Sequence, residues 1–352
     1  MTTMLRQADP AAQTVPGPGG TVPEAPSRLP RIAGAVAALA VLAVPLYSSP
    51  YWVQTFTATA IYAAVALGVS LLLGRVGMVS LCQFALLAVG AWIALRIGYG
   101  LDLPFLLVVL LAGLLTGLVG VLVGLPALRL SGLYLALITL MAAAGVTVVL
   151  AATQFPNGGD GVLGFSNTAA GTSQLARPSF ATSDGAFYVL TLLIVGALFG
   201  LVVWQLRGKA GRAWAAIRQS EATAVAAGVS VVRYKLWAFA LAAFITGAAG
   251  ALLAASGGGV TTYQFPTENN ILLLAACLMG GVYGLWGSVV AAVFVKVVPA
   301  LLQVWGIPSD VLLIAFGVGV IQTVLVSPQG AAAQLGHDLS RLARRLSRGG
   351  AR

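Results

Sequence analysis

Long apolar runs, nearly free of charge, constrain this chain more than any other feature. Stretches 52–73, about 81–95, 103–125, 133–152, 187–206 and 236–255 each approach the ~20 residues that a helix needs to cross the hydrocarbon core. A first apolar run lies at 32–47, and three shorter pieces lie at 271–279, 289–304 and 311–326. Only 8% of the residues are charged, against about 25% in a soluble domain. That is too few to clothe a water-soluble globule, so the surplus apolar surface must face lipid. Helix is the expected state, because hydrocarbon offers an open backbone no partner. A barrel would instead alternate polar and apolar residues within strands of about ten. The fold class expected is an all-α polytopic membrane protein.

Residues 1–30 are rich in Pro, Gly, Ala and Thr, cannot bury a core, and are expected to form a disordered cytoplasmic tail. A transmembrane domain over 31–327 follows, then a basic cytoplasmic tail at 328–352. Run 32–47 is read as a retained span, since a 30-residue lead is long for a cleaved signal. Positive charge marks cytoplasmic loops. With the N-terminus inside, most of the 19 Lys and Arg fall on cytoplasmic segments. Asp102, Asp160, Asp184, Glu268 and Asp310 fall outside. An N-in, C-in topology with an even number of crossings results. About ten helices satisfy it, and so do eight plus a re-entrant hairpin over about 271–303. Run 271–279 is too short to span alone, and Gly280, Gly281, Gly284 and Gly287 crowd its end, a pattern resembling a broken helix.

Two Gly-xxx-Gly pairs, Gly113/Gly117 and Gly120/Gly124, allow close helix approach, either inside the bundle or between subunits. The outward loop 153–185 carries Asn-Gly-Gly-Asp-Gly at 157–161 and serves either as a connector or as a contact for an extracytoplasmic partner.

Several chemistries lack raw material. Cys82 and Cys277 sit in apolar runs and read as packing residues. The one histidine, His337, lies in the basic tail, so neither a metal site nor a histidine-based catalytic triad is expected. No Walker A sequence occurs: Gly208–Lys209 is followed by Ala210. No Asp, Glu or His falls in mid-span, where proton-driven carriers place such groups. The expectation is a protein that is not an enzyme and holds no cofactor. The net charge of +10 reflects cytoplasmic loops; no basic stripe is interleaved with aromatics, so the expected environment is membrane lipid rather than nucleic acid. Lys296 is a basic residue deep in an apolar run, expected to snorkel to an interface, with an intramembrane substrate role as the alternative.

The segment 207–235 is the long polar interruption of the second half, reading GRAWAAIRQSEATAVAAGVSVVRYK over 211–235. Its 212–227 portion is alanine-rich without Gly or Pro, which predicts one helix capped by Gly228. At 100° per residue Trp214, Arg218, Glu221 and Val225 share a face suited to a mixed protein contact, without a clean amphipathic stripe. Ser80, Gln83, Tyr134 and Thr139 are polar residues in or beside spans. They are candidates for a translocation pathway, with helix–helix hydrogen bonding as the competing role.

Segment 211–235 and the run after it resemble the signature loop of branched-chain amino acid ABC permeases of the LivM type. Other pieces resemble that family in the same order: GRVGMVSLCQFALLAVGAW at 74–92, LRLSGLYLALITL at 128–140, NGGDG at 157–161 and LMGGVYGLWGSVVAA at 278–292. Where the family usually continues with Gly-His, this chain has Cys82–Gln83. The resemblance implies one membrane subunit of an importer in the bacterial inner membrane. It also implies a second permease subunit, two cytoplasmic ATPases and an extracytoplasmic substrate-binding protein. Gly211, Arg212, Arg218, Glu221 and Gly228 would then belong to the ATPase-coupling loop. Two other readings stay open: the same machinery carrying urea, short amides or a sugar, and a stand-alone passive channel or secondary carrier.

Overall fold

A computed structural model describes residues 49–306, apart from 102, 128–131, 153–174, 258–259 and 261–263, together with 317. The two tails, runs 32–47 and 311–326 and the Asn-Gly-Gly-Asp-Gly motif lie outside the described residues.

All regular structure among the described residues is helical. Helix α1 spans Pro50–Ser70 and runs on as a π-helical segment, Leu71–Val76. Proline at its start suits a position whose N–H has no helical partner. Next come α2 (Gln83–Gly100), α3 (Phe105–Ala127), α4 (Leu133–Ala152) and α5 (Asp184–Arg207). Ser183 caps α5 by accepting from the Ala186 N–H at 3.3 Å, and Arg207 lies in its last turn, opposite in charge to the carbonyl end. Two short helices, α6 (Lys209–Gln219) and α7 (Glu221–Ala226), lead into α8 (Val231–Ala255). Then come α9 (Asn269–Gly280), α10 (Leu285–Ala292), a π-helical segment Val293–Val297, and α11 (Val298–Val304).

Among the described residues six stretches are long and apolar enough to cross a membrane: Pro50–Val76, Phe105–Pro126, Leu133–Ala152, Asp184–Arg207, Val231–Ala255 and Leu285–Val304. Burial sorts them. The apolar window of α8 is 83% buried and that of α4 only 28%, so α8 is a central post and α4 lies at the rim. Helix α1 is the second post, packed against α5, α8 and α10.

Small residues make the central contacts. A Cβ on Gly90 of α2 would stand 2.5 Å from the Gly247 Cα of α8, a distance that real side chains do not tolerate. All four glycines of the α3 pairs face α8: Gly113 and Gly117 meet Phe244, Gly120 meets Ala243, and Gly124 meets Phe239. Close packing inside the bundle is therefore their role, not a contact between subunits. Cys82 and Cys277 are buried and unpaired.

Helices α2 and α9 are interrupted elements. Helix α9 has 12 residues, about 18 Å at helical rise, well short of the ~30 Å core. Its end turns at Gly281, where φ is 99°, and the returning α10 packs so closely that a Cβ on Gly280 would strike the Gly287 carbonyl. Helix α2 starts only after the non-helical stretch 77–82, beside the middle of α8, where Gln83 meets Thr246.

At the end of the bundle away from α6, Arg177 fastens α5 to α8. It pairs with Asp184 at 2.8 Å and donates to the carbonyls of Ala255 (3.1 Å) and Ser256 (2.9 Å).

Candidate coupling site

The α6–α7 arm is two helices, not the single helix expected over 212–227. Ser220 is extended (φ −164°, ψ 123°) and its hydroxyl accepts from the Thr223 N–H at 3.3 Å, capping α7 with Glu221 in the first turn. A serine next to an acid is a strong local start signal, and here it outweighs alanine propensity. The break gives α6 the apolar stripe that the undivided segment lacked: Ala210, Ala213, Trp214 and Ile217 are buried at helical spacing. Gly228 ends α7 with φ 78°, as the sequence leads one to expect of a C-cap. Gly211 permits the sharp fold of α6 back onto α5, since a Cβ there would collide with the Leu206 backbone.

Helical spacing put Trp214, Arg218, Glu221 and Val225 on one outward face. Only Val225, 61% exposed, is spent wholly on that surface. Trp214 is fully buried and its Nε1–H donates to the Tyr234 carbonyl at 2.8 Å, fixing α6 to the first turns of α8. Glu221 accepts from Lys235 Nζ at 2.6 Å, and that lysine side chain is 7% exposed. Arg218 Nη1 donates to the Gly74 carbonyl at 2.7 Å, while its guanidinium lies 4.5 Å from the Tyr283 ring centroid. Gly74 in turn is so close to Val282 that a Cβ would strike its carbonyl. The arm is thus bolted to three elements at once: the end of α1, the α9–α10 turn and the start of α8. Arg212, Val225 and Val232 remain exposed.

Of the four candidate pathway residues, three gather at the interruption before α2. Ser80 Oγ lies 3.2 Å from Cys82 Sγ. Thr139 Oγ1 accepts from the Leu81 N–H at 2.9 Å. The Thr246 hydroxyl donates to Gln83 Oε1 at 2.7 Å, and Gln83 Nε2 is buried without a partner. Tyr134 does not join them; it is 70% exposed on α4. A period-based reading could not assign it a face, because nearly every neighbour on that helix is apolar.

Two residues that the sequence reading passed over complete the centre. Asn270, second residue of α9, accepts through Oδ1 from the Phe84 N–H at 2.8 Å, so the first turns of both interrupted helices meet. Tyr62, halfway along α1, is buried against Phe84, with ring centroids 5.8 Å apart. Lys296 points inward at this ring, its Nζ 4.1 Å from the centroid, and does not reach an interface as snorkelling would have it. A lysine at mid-helix costs about 2.5–3.5 kcal/mol on insertion, and a desolvated cation–π contact offsets about 2 of that.

A bundle with small-residue packing, interrupted helices at its middle and an anchored amphipathic arm at one end defines a helical membrane permease. The chain belongs to the branched-chain amino acid transport system permease component family, whose pattern covers residues 51–323. It is 32% identical over 281 residues to the high-affinity branched-chain amino acid transport system permease protein LivM of Escherichia coli, and 30% identical over 289 residues to that of Salmonella typhimurium. Each alignment covers 74% of this chain and 66% of the relative, so the chain spans about two thirds of the length of these curated proteins. No solved structure is a significant match.

Proposed function

We propose that this chain is a membrane subunit of an ATP-driven importer that moves branched-chain aliphatic amino acids across the bacterial inner membrane. It would work beside a second permease subunit, two cytoplasmic ATPases and an extracytoplasmic binding protein. ATP would be hydrolysed on the separate ATPase subunits. The observation that carries the reading is the α6–α7 arm, anchored by Trp214 and Arg218 yet exposing Arg212 and Val225. A lever needs both properties: a grip for the engine and a rigid attachment to the helices it moves.

In this mechanism the ATPases close on the arm, Arg218 carries the displacement to Gly74 and Tyr283, and α1 and the α9–α10 turn shift together. The wall then exchanges between two packings whose balance follows nucleotide state. Ten crossings with both termini inside is the favoured topology. It is supported by the approach of Val282 and Tyr283 to Gly74 and Arg218, which brings the α9–α10 turn to the arm's end of the bundle.

The test is reconstitution of the four kinds of subunit in proteoliposomes. ATP-dependent leucine uptake is expected, and Val225→Arg is expected to release the ATPases during purification. Uptake by this chain alone would favour a passive channel, and uptake of urea or a sugar instead would reassign the cargo.

A further inference from the structure

The middle of the bundle collects positive electrostatic features and, among the described residues, no anion. Among the described residues Lys296 makes no ion pair; the two that occur are Arg177–Asp184 and Lys235–Glu221. It lies in the π-helical segment Val293–Val297, twelfth of the 20 residues of Leu285–Val304, and faces the buried Tyr62 ring. π-helical turns interrupt the regular ladder and recur at functional positions. Behind that ring sits Phe84, in the first turn of α2, bonded to Asn270 in the first turn of α9. Both helices therefore direct their partly positive N-terminal ends into the same region. Gln83, 1% exposed, accepts from the Thr246 hydroxyl through Oε1 and leaves its Nε2, a donor, buried without a partner among the described residues.

We propose that Lys296, held against Tyr62 where α2 and α9 begin, receives the carboxylate of the amino acid as it passes the middle of the membrane. This rests on the reading of the chain as an amino-acid permease. A zwitterion brings the negative charge that this region lacks, and the partly positive N-terminal ends of interrupted helices suit a carboxylate at membrane depth. The Phe84 and Phe265 rings, 6.1 Å apart, offer an apolar wall for an aliphatic side chain. The cation–π contact holds the ammonium in place between passages while no carboxylate is present.

The experiment is leucine uptake by the full complex in proteoliposomes, comparing wild type, Lys296→Arg and Lys296→Met. Lys296→Met is expected to assemble and to lose about tenfold or more of its uptake, while Lys296→Arg keeps most of it. If Lys296→Met assembles poorly, Lys296→Cys in a chain with Cys82→Ala and Cys277→Ala decides the matter. Labelling by a charged thiol reagent that leucine slows under turnover supports the site; labelling that is absent or indifferent to leucine overturns it. Full uptake by Lys296→Met overturns this inference alone. Absence of leucine uptake by the wild-type complex defeats instead the reading of the cargo as a branched-chain amino acid.

Discussion

The Arg218 guanidinium donates to the Gly74 carbonyl at 2.7 Å across 144 positions of sequence, joining α6 to the π-helical end of α1. The same group lies over Tyr283 in the α9–α10 turn. One side chain thereby connects the arm to the end of α1 and to the α9–α10 turn. Arg218→Ala should cut uptake by about tenfold or more with the ATPases still bound, because the transmission is lost and not the grip. Arg218→Lys should recover only part, since an ammonium cannot reproduce the planar fork and the stacking. Co-purification and uptake, measured on the same preparation, check this.

Trp214 fixes α6 by volume and by one hydrogen bond. Trp214→Ala should destabilise the protein by about 3–5 kcal/mol. Trp214→Phe should cost about 1 kcal/mol, because it removes the indole N–H donated to the Tyr234 carbonyl while filling most of the space. Thermal unfolding in detergent should rank wild type above Trp214→Phe, and that above Trp214→Ala.

The large features of this bundle were legible in the sequence because lipid imposes a length rule on apolar runs. Run 133–152 coincides with α4, and runs 103–125, 187–206 and 236–255 differ by a few residues from α3, α5 and α8. The shortness of α9 and the glycines that let α10 return beside it were legible too. The candidate site was less so. Arg218 binds a backbone carbonyl, and carbonyls leave no residue-type signature. Trp214 and Lys296 turn inward for a reason that only the partner helix supplies: the Tyr234 carbonyl in one case and the Tyr62 ring in the other. The break at Ser220 could have been found, since Ser-Glu ahead of an alanine run is a start signal.

Gly90 and Gly145 separate packing from propensity. Gly90→Ala would place a methyl 2.5 Å from Gly247 and should cost about 1–3 kcal/mol by overpacking. Gly145 has nothing within 4 Å, so Gly145→Ala should be neutral or slightly stabilising. Expression yield and thermal unfolding of the two variants should diverge accordingly.

Lys235 is buried and pairs with Glu221, whose own side chain is 54% exposed. Glu221→Gln should cost about 1–2 kcal/mol, between the values for exposed and buried pairs, and should loosen α7 from α8. Faster proteolysis of the arm in Glu221→Gln than in wild type would report that loosening.

The account stands on which side of the membrane the α6–α7 arm occupies. In a chain with Cys82→Ala and Cys277→Ala, Val225→Cys marks the arm and Phe180→Cys marks the opposite end; both positions are exposed. Labelling intact cells with a membrane-impermeant thiol reagent should modify the Phe180→Cys chain at once and the Val225→Cys chain only after permeabilisation. Rapid labelling of Val225→Cys in intact cells would put the arm outside, beyond the reach of any cytoplasmic ATPase, and would contradict the coupling role.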